Sequence, residues 1–335
     1  MADVGIGELA TVSGRERSRK VKDAVSDNHP IMRAMKEAGG IRRVSGGRTI
    51  LDEALSGQNS TAAWVGEAGT VSLANQKVAD SPEFQWKYML ASISWTLAEV
   101  LKNGGSVTKF IDILEAKFMA AEAACQNVFE GGLVSDGTGS GGLQLGGLAH
   151  LISTTPTSGT VGGIDRSSAN AAWFRNRKFD SSSDWSEGTV SASNVKRFLD
   201  KLINGGLENG KATAQIGLMG DTHYEFLSQA LQAIQVINDK DGELRGGHQK
   251  LVYRGIPFYL SGGLQYSSQT QQTDTRTYLL NVERGGVNVV FHKEAEFDML
   301  EPVDSSDQAA RSRLIFTMAN ATVGAYAKRC VVGFD

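Results

Sequence analysis

The sequence predicts an α+β fold, and three observations carry that expectation. The run Val107 to Glu130, about 24 residues, keeps the three-and-four spacing of an amphipathic helix. Beyond it lie two shorter helical patterns and six strand-like runs, which do not alternate regularly as a parallel α/β chain requires. Glycine is abundant, at 39 residues against 5 prolines, so turns and backbone-led loops should join these pieces instead of stiff polyproline linkers.

Bulk properties narrow the function classes. A chain of 335 residues can bury one large core or two linked ones, so one subunit with two or three lobes is expected. With 41% apolar and 21% charged residues, the composition is that of a globular protein, neither disordered nor membrane-spanning. No apolar stretch approaches the roughly 20 residues that cross a bilayer. A net charge of -3 provides no general pull toward nucleic acid. Cys125 and Cys330 alone cannot build a disulfide framework or a cysteine zinc site, and no secretory pattern opens the chain, so a reducing compartment is expected.

Taken in order, the first thirty or so residues carry few large apolar side chains and a basic cluster, Arg15, Arg17, Arg19, Lys20 and Lys22. This arm is expected to need a partner: it is either a solvated tail or a segment ordered on a neighbouring subunit or near nucleic acid. A short helix, Ile31 to Ala38, should stop at Gly39-Gly40. From Arg48 to about Thr96 the pattern is extended. Met89, Ala91, Ile93 and Trp95 alternate as in a half-buried strand, and the polar stretch Gly69 to Asp80 has few anchors, so the segment reads as a long projecting hairpin.

In the long helix, Val107, Phe110, Ile111, Leu114, Phe118, Ala121, Cys125 and Val128 should form one apolar stripe, with Ser106 as N-cap and Gly131-Gly132 as stop. Cys125 on that stripe reads as a small buried hydrophobe. A glycine-, serine- and threonine-rich passage, Ser135 to Gly163, follows. Two helices are then expected, Ser193 to Asn204 and Thr222 to Asn238, the second opened by a capping box of Thr222 with Glu225. The strand-like runs are Ile216 to Met219, Leu251 to Leu260, Thr277 to Val282, Val287 to Phe291, Arg313 to Thr322 and Tyr326 to Gly333. No internal repeat is present.

Motifs for chemistry are weak. Gly137-Thr138-Gly139-Ser140-Gly141-Gly142 matches G-x-G-x-x-G, but it follows a helix and lacks the βαβ context of a dinucleotide site. The histidines His29, His150, His223, His248 and His292 have no zinc spacing, and Gly210-Lys211-Ala212 fails the Walker pattern at its last position. No nucleophile elbow occurs. The pairs Glu294 with Glu296 and Asp304 with Asp307 read as solvated strand or loop positions. No catalytic residue, metal or cofactor is expected. Of the tryptophans, Trp86, Trp95, Trp173 and Trp185 read as core, whereas Trp64 lies on the projecting hairpin, where a large side chain gains most in a neighbour's pocket.

Several segments share a pattern in order: Ala62-Ala63-Trp64-Val65-Gly66-Glu67 entering the hairpin, Phe84-Gln85-Trp86-Lys87 leaving it, and the helix Val107 to Glu130. After these come Gly141-Gly142-Leu143 to Gly147-Leu148, then Tyr253-Arg254-Gly255-Ile256-Pro257-Phe258, and finally Arg313 to Tyr326. Over nearly its whole length the chain thus resembles the major capsid proteins of tailed bacteriophages, the Hong Kong 97-type fold shared with encapsulin shells.

The resemblance implies an N-terminal arm over 1–47 and an extended-loop hairpin over 48–96. A peripheral domain is implied over 97–140 and 292–335, with its spine helix at 107–130, and an axial domain over 141–291. It further implies a virion coat protein assembled in the host bacterial cytoplasm. That protein would form hexamers and pentamers with itself, meet scaffold, portal and decoration proteins, touch packaged double-stranded DNA nonspecifically, and touch no membrane. Trp64, Val65, Glu67 and Lys77 of the loop would contact a neighbouring subunit, and Arg15, Arg17, Arg19, Lys20 and Lys22 a neighbour or DNA. Some relatives weld this loop to a neighbour by a lysine–asparagine isopeptide bond. Lys77 could supply the amine, but Asp304 to Ala310 contains no asparagine, so no cross-link is expected. An encapsulin-like compartment shell and an enzyme with an unrecognised site are the alternatives.

Overall fold

The computed structural model describes residues 30–52, 54–55, 64–67, 70, 79–102, 107–185, 187–207, 214–232, 250–260, 266–267, 270–271, 275–304 and 310–335. The first described element is helix α1 (Pro30–Glu37), which buries Ile31, Met32, Ala34 and Met35, the three-and-four spacing of a single face. It ends where Gly39 takes a left-handed φ of +77° and the Gly40 N–H donates to the Met35 carbonyl at 2.7 Å, a glycine C-terminal turn.

Strand β1 (Ile41–Val44) follows, then β2 (Thr49–Leu51), which pairs antiparallel with β3 (Glu83–Gln85). Ala54 and Leu55 pair with Asp80 and Ala79 farther out, so a hairpin is present. The strand that leaves it, β4 (Lys87–Thr96), pairs over its whole length with a different, C-terminal strand. Helix α2 (Val107–Val134) has 28 residues, a rod of about 42 Å.

Residues 177–334 supply most of the strands. These are β5 (Arg177–Asp180), β6 (Ile216–Met219), β7 (Lys250–Tyr253), β8 (Ile256–Leu260), β9 (Thr277–Leu280), β10 (Val287–His292), β11 (Asp298–Met299), β12 (Val303–Asp304), β13 (Ala310–Val323) and β14 (Val331–Phe334). Helices α3 (Val195–Gly205) and α4 (Asp221–Gln232) lie among them. Two six-stranded sheets result. In the first, β1, β10 and β13 lie side by side, with β4, β11 and β12 also paired to β13. In the second the order is β7-β8-β6-β9-β14-β5. Each mixes parallel with antiparallel pairs, so the architecture is α+β, as the sequence predicts.

One apolar core joins α1, the buried face of α2, the first sheet and the inner residues of the second, among them Ile216, Leu218, Tyr278 and Leu280. A second cluster packs Val195, Phe198, Leu199 and Leu202 of α3 and Tyr224 and Leu227 of α4 against Met219, Phe258, Leu279 and Val331.

Several sequence expectations need correction. Gly131-Gly132 does not stop the long helix, which runs on to Val134. A Cβ on Gly132 would lie 3.3 Å from Leu145 Cδ1, and one on Gly147 would collide with the Gly132 and Ser135 carbonyls. These glycines let the chain 145–147 press against the helix. The buried stripe, where side chains are described, is Phe118, Cys125, Phe129 and Leu133, while Val128 is 60% exposed. Ser106 and the side chains of residues 107–116 lie outside the described residues. The capping box does not form, because α4 already begins at Asp221 and the Tyr224 N–H donates to the Gly220 carbonyl. This helix is described only to Gln232.

The run Leu251 to Leu260 is a hairpin of two strands, turned at Arg254 (φ +50°) and Gly255 (φ +81°), the two consecutive positive φ values of a type I′ turn. Tyr326 belongs to a short 3-10 turn, Ala325–Arg329, and only Val331 onward is strand. Sheet membership also cuts across the implied segments. Residues 30–44 of the implied arm are packed into the body. β10, within 141–291 but for its last residue, joins the first sheet. The terminal strand β14 joins the second sheet beside β9 and β5 rather than the sheet that carries α2.

Candidate functional site

The hairpin is anchored at its base. Trp86 is buried and donates its Nε1–H to the Gly47 carbonyl at 3.0 Å, while its ring meets His292 edge-on at 5.8 Å. Asn320, buried on β13, donates to the Gln85 carbonyl at 2.7 Å and accepts the Gly146 N–H at 3.1 Å. One side chain thereby ties the outgoing strand to the glycine passage. Buried Asp52 accepts from Arg42 at the incoming strand. Farther out, Trp64 is 105% exposed and Val65 52% exposed, with Glu67 also exposed. A side chain of that size left wholly in water covers no apolar surface of its own chain and is available to a partner. Lys77 lies outside the described residues, as do Arg15, Arg17, Arg19, Lys20 and Lys22.

A second uncovered surface lies on the β4–β13 ribbon. Phe316 is in register with Asp298 on one side and Leu90 on the other, so β13 is flanked on both edges and β4 forms the rim. Among the described residues no strand pairs with the far edge of β4. Its outward residues are Tyr88 and Leu90, each about three-fifths exposed, followed by Ser92, Ser94 and Thr96. Tyr88 stacks on Phe316 at 6.2 Å. Toward the C-terminal end of this ten-residue strand, Lys117 Nζ donates to the Ser94 carbonyl at 3.1 Å and the Thr96 N–H donates to Glu99 at 3.2 Å. The part without a charged cover is therefore the stretch around Tyr88 and Leu90.

Nothing among the described residues assembles a reaction centre. The glycine motif follows α2 and forms a turn with Gly137, Gly141 and Gly142 at positive φ, and the Gly142 carbonyl accepts from Lys87 Nζ. No group of three metal-ligating side chains occurs among the described residues. Glu296 accepts Arg43 Nε and Nη2, each at 2.7 Å, a contact that raises the arginine's pKa against the opposing effect of burial. Asp304 is held by Arg311 at 2.6 Å; Asp307 lies outside the described residues. Cys125 is buried, and burial, with the nearby Glu122 charge, pushes its thiol pKa up. Cys330 is pushed up to about 11 by burial. Both thiols are inert at neutral pH.

Sequence reasoning misses a buried polar cluster on the second sheet. His223, fully buried, bonds Thr277 Oγ1 through Nδ1 at 2.9 Å and faces Asp335 Oδ2 through Nε2 at 3.4 Å. The other Asp335 oxygen accepts from Ser181 Oγ at 2.5 Å and from the Val190 N–H at 3.1 Å. Burial alone would push the Asp335 carboxyl up, but the bonds from His223, Ser181 and Val190, with the charge of His223, hold it below its ordinary value. The Ser181 hydroxyl donates to the carboxylate, not to the imidazole, so this is a latch across four chain segments and not an activated nucleophile. Its members are up to 154 positions apart, and no local pattern marks them.

No protein-family model and no curated protein matches the chain. Solved structures do. The capsid asymmetric unit of cyanophage A-1(L) aligns with a TM-score of 0.64 at 12% identity, covering 92% of this chain and 93% of that one. The capsid of an empty GTA particle aligns at 0.52 and 11% identity over 90% and 89%. The capsid of Myoviridae phage XM1 aligns at 0.52 and 12% identity over 90% and 91%. The chain therefore has the fold of phage capsid proteins.

Proposed function

We propose that the chain is the major capsid protein of a tailed bacteriophage, a coat subunit of the virion shell that acts by assembly and catalyses no reaction. The observation that carries this reading is the end-to-end match to the cyanophage capsid subunit, over more than nine-tenths of both chains. The exposed Trp64 and the exposed Tyr88 and Leu90 of β4, whose far edge no described strand pairs, support it, since apolar surface gains by leaving water against a partner.

In this reading the anchored base of the hairpin sets its direction, and Trp64, Val65, Glu67 and Lys77 lie against a neighbouring subunit. The contact is heterologous, one surface against a different one, and such contacts close into rings of five and six and then into a shell. Each is modest, and multiplicity makes the assembly stable. The arm residues Arg15, Arg17, Arg19, Lys20 and Lys22 touch a neighbour or the enclosed double-stranded DNA. Scaffold, portal and decoration proteins are the further partners, and the host bacterial cytoplasm is the place of assembly.

The test is negative-stain electron microscopy of the protein expressed alone and purified by size exclusion, repeated with the phage's scaffold gene co-expressed. Uniform hollow shells, or rings of five and six subunits, are expected. A monomer in both preparations would overturn the proposal, and shells filled with an enzyme rather than DNA in the native host would reassign it to a compartment.

A further inference from the structure

Charge is spread unevenly along this chain. Residues 15–48 hold ten Arg and Lys against four Asp and Glu, a net of +6 in a chain whose total is -3. Gly39, Arg42, Arg43 and Val44 of that stretch, with Arg284 and Asn288, line a cleft of about 410 Å³. Among the described residues no carboxylate lines it. Gly39 leaves its mouth open, because even a Cβ there would meet nothing within 4 Å.

Two of the three guanidinium groups are held in place by acids outside the cleft. Arg42 donates through Nη1 to Asp52, and Arg43 through Nε and Nη2 to Glu296, so Nη1 of Arg43 remains for another acceptor. Arg284 is exposed on the turn that follows Glu283, and Glu283 itself pairs with Arg329. Arg284 has no acidic partner among the described residues. Fixed guanidinium groups that keep donors unused suit oxyanions, because their planar fork matches carboxylate and phosphate geometry. An acidic peptide would also need an apolar anchor, and the lining has only Val44 for one. A polymer with regularly spaced charges matches a lining of three arginines, Arg42, Arg43 and Arg284.

We infer that this cleft binds the backbone phosphates of double-stranded DNA, with Arg284 as its free contact and Arg42 and Arg43 as its positioned walls. The inference rests on the shell reading, in which enclosed DNA meets each subunit. Binding there is independent of sequence and sensitive to salt.

The experiment titrates the full-length chain with a short labelled duplex of mixed sequence over a salt series. Arg284→Ala is expected to reduce the slope of log affinity against log salt by about 0.9, one phosphate contact, and Arg284→Glu to weaken binding further. Lys201→Ala, an exposed lysine on α3, should change neither. Arg42 and Arg43 are left intact because their removal strands Asp52 and Glu296. Equal slopes for the unaltered chain and Arg284→Glu would overturn the site, as would an equal loss from Lys201→Ala. Normal DNA binding by Arg284→Glu with shells abolished would assign the cleft to an acidic segment of a neighbour instead. Electron microscopy of the same preparations separates these outcomes from failure of the shell reading, because the slope is read on the subunit whether or not shells form.

Discussion

Two adjacent residues of α2 should respond very unequally to truncation to alanine. Phe129 is 2% exposed and stacks on Phe291 at 5.5 Å, meets Phe297 edge-on at 5.4 Å, and closes a trio whose other pair is 5.9 Å apart. That trio fastens the long helix to the first sheet. Phe129→Ala removes a buried ring and leaves a cavity that rigid neighbours cannot fill, a loss of about 3–5 kcal/mol, of which each ring contact accounts for about 0.5–1.5 kcal/mol. Val128 is 60% exposed, so Val128→Ala should stay within about 0.5 kcal/mol of the parent. The assay is urea unfolding of unassembled subunits, followed by circular dichroism and tryptophan fluorescence. With a slope of about 3 kcal/mol/M, Phe129→Ala should bring the midpoint down by about 1 M or more. Equal shifts for the two variants, or a loss from Phe129→Ala below about 1 kcal/mol, would refute this face of α2 as the packed one.

Gly147→Ala should destabilise by about 1–3 kcal/mol or more, because its Cβ meets the Gly132 and Ser135 carbonyls; a thermal melt at parental temperature would contradict that. Asp335→Asn should flatten the acid limb of stability. The folded carboxyl lies below its ordinary value, so its stabilisation is present at neutral pH and is lost as pH falls below about 4. Urea midpoints at pH 7 and pH 3.5 should therefore differ less in the variant than in the parent. Trp64→Ala should leave subunit stability within about 0.5 kcal/mol while reducing the yield of shells by size exclusion, and an unchanged yield would remove Trp64 from the interface.

The elements most legible in the sequence were those that local spacing dictates. The short helix ended by Gly39, the long helix and the alternation of Met89, Ala91, Ile93 and Trp95 all depend on side chains a few positions apart. The errors have a common cause. Val128 and Phe129 both satisfy helical spacing, and only the position of the first sheet decides which one is buried. Gly131-Gly132 carries a stop signal, but the approach of Leu145 and Gly147 makes the missing side chain a packing feature. At the candidate surfaces, Trp64 could be singled out as a large apolar residue in a polar excursion. The edge of β4 could not, because an edge exists only once all the pairings of a sheet are known.

By itself, then, the sequence determined the α+β class and the main helices, since backbone preference and hydrophobic period act within a few residues of one another. Tertiary structure alone decided that β14 joins the second sheet, that Asp335 reaches His223, and that Arg42, Arg43 and Arg284 border one cleft. These contacts join positions from about fifty to more than two hundred residues apart, and chain closure over such distances leaves no periodic trace in the sequence.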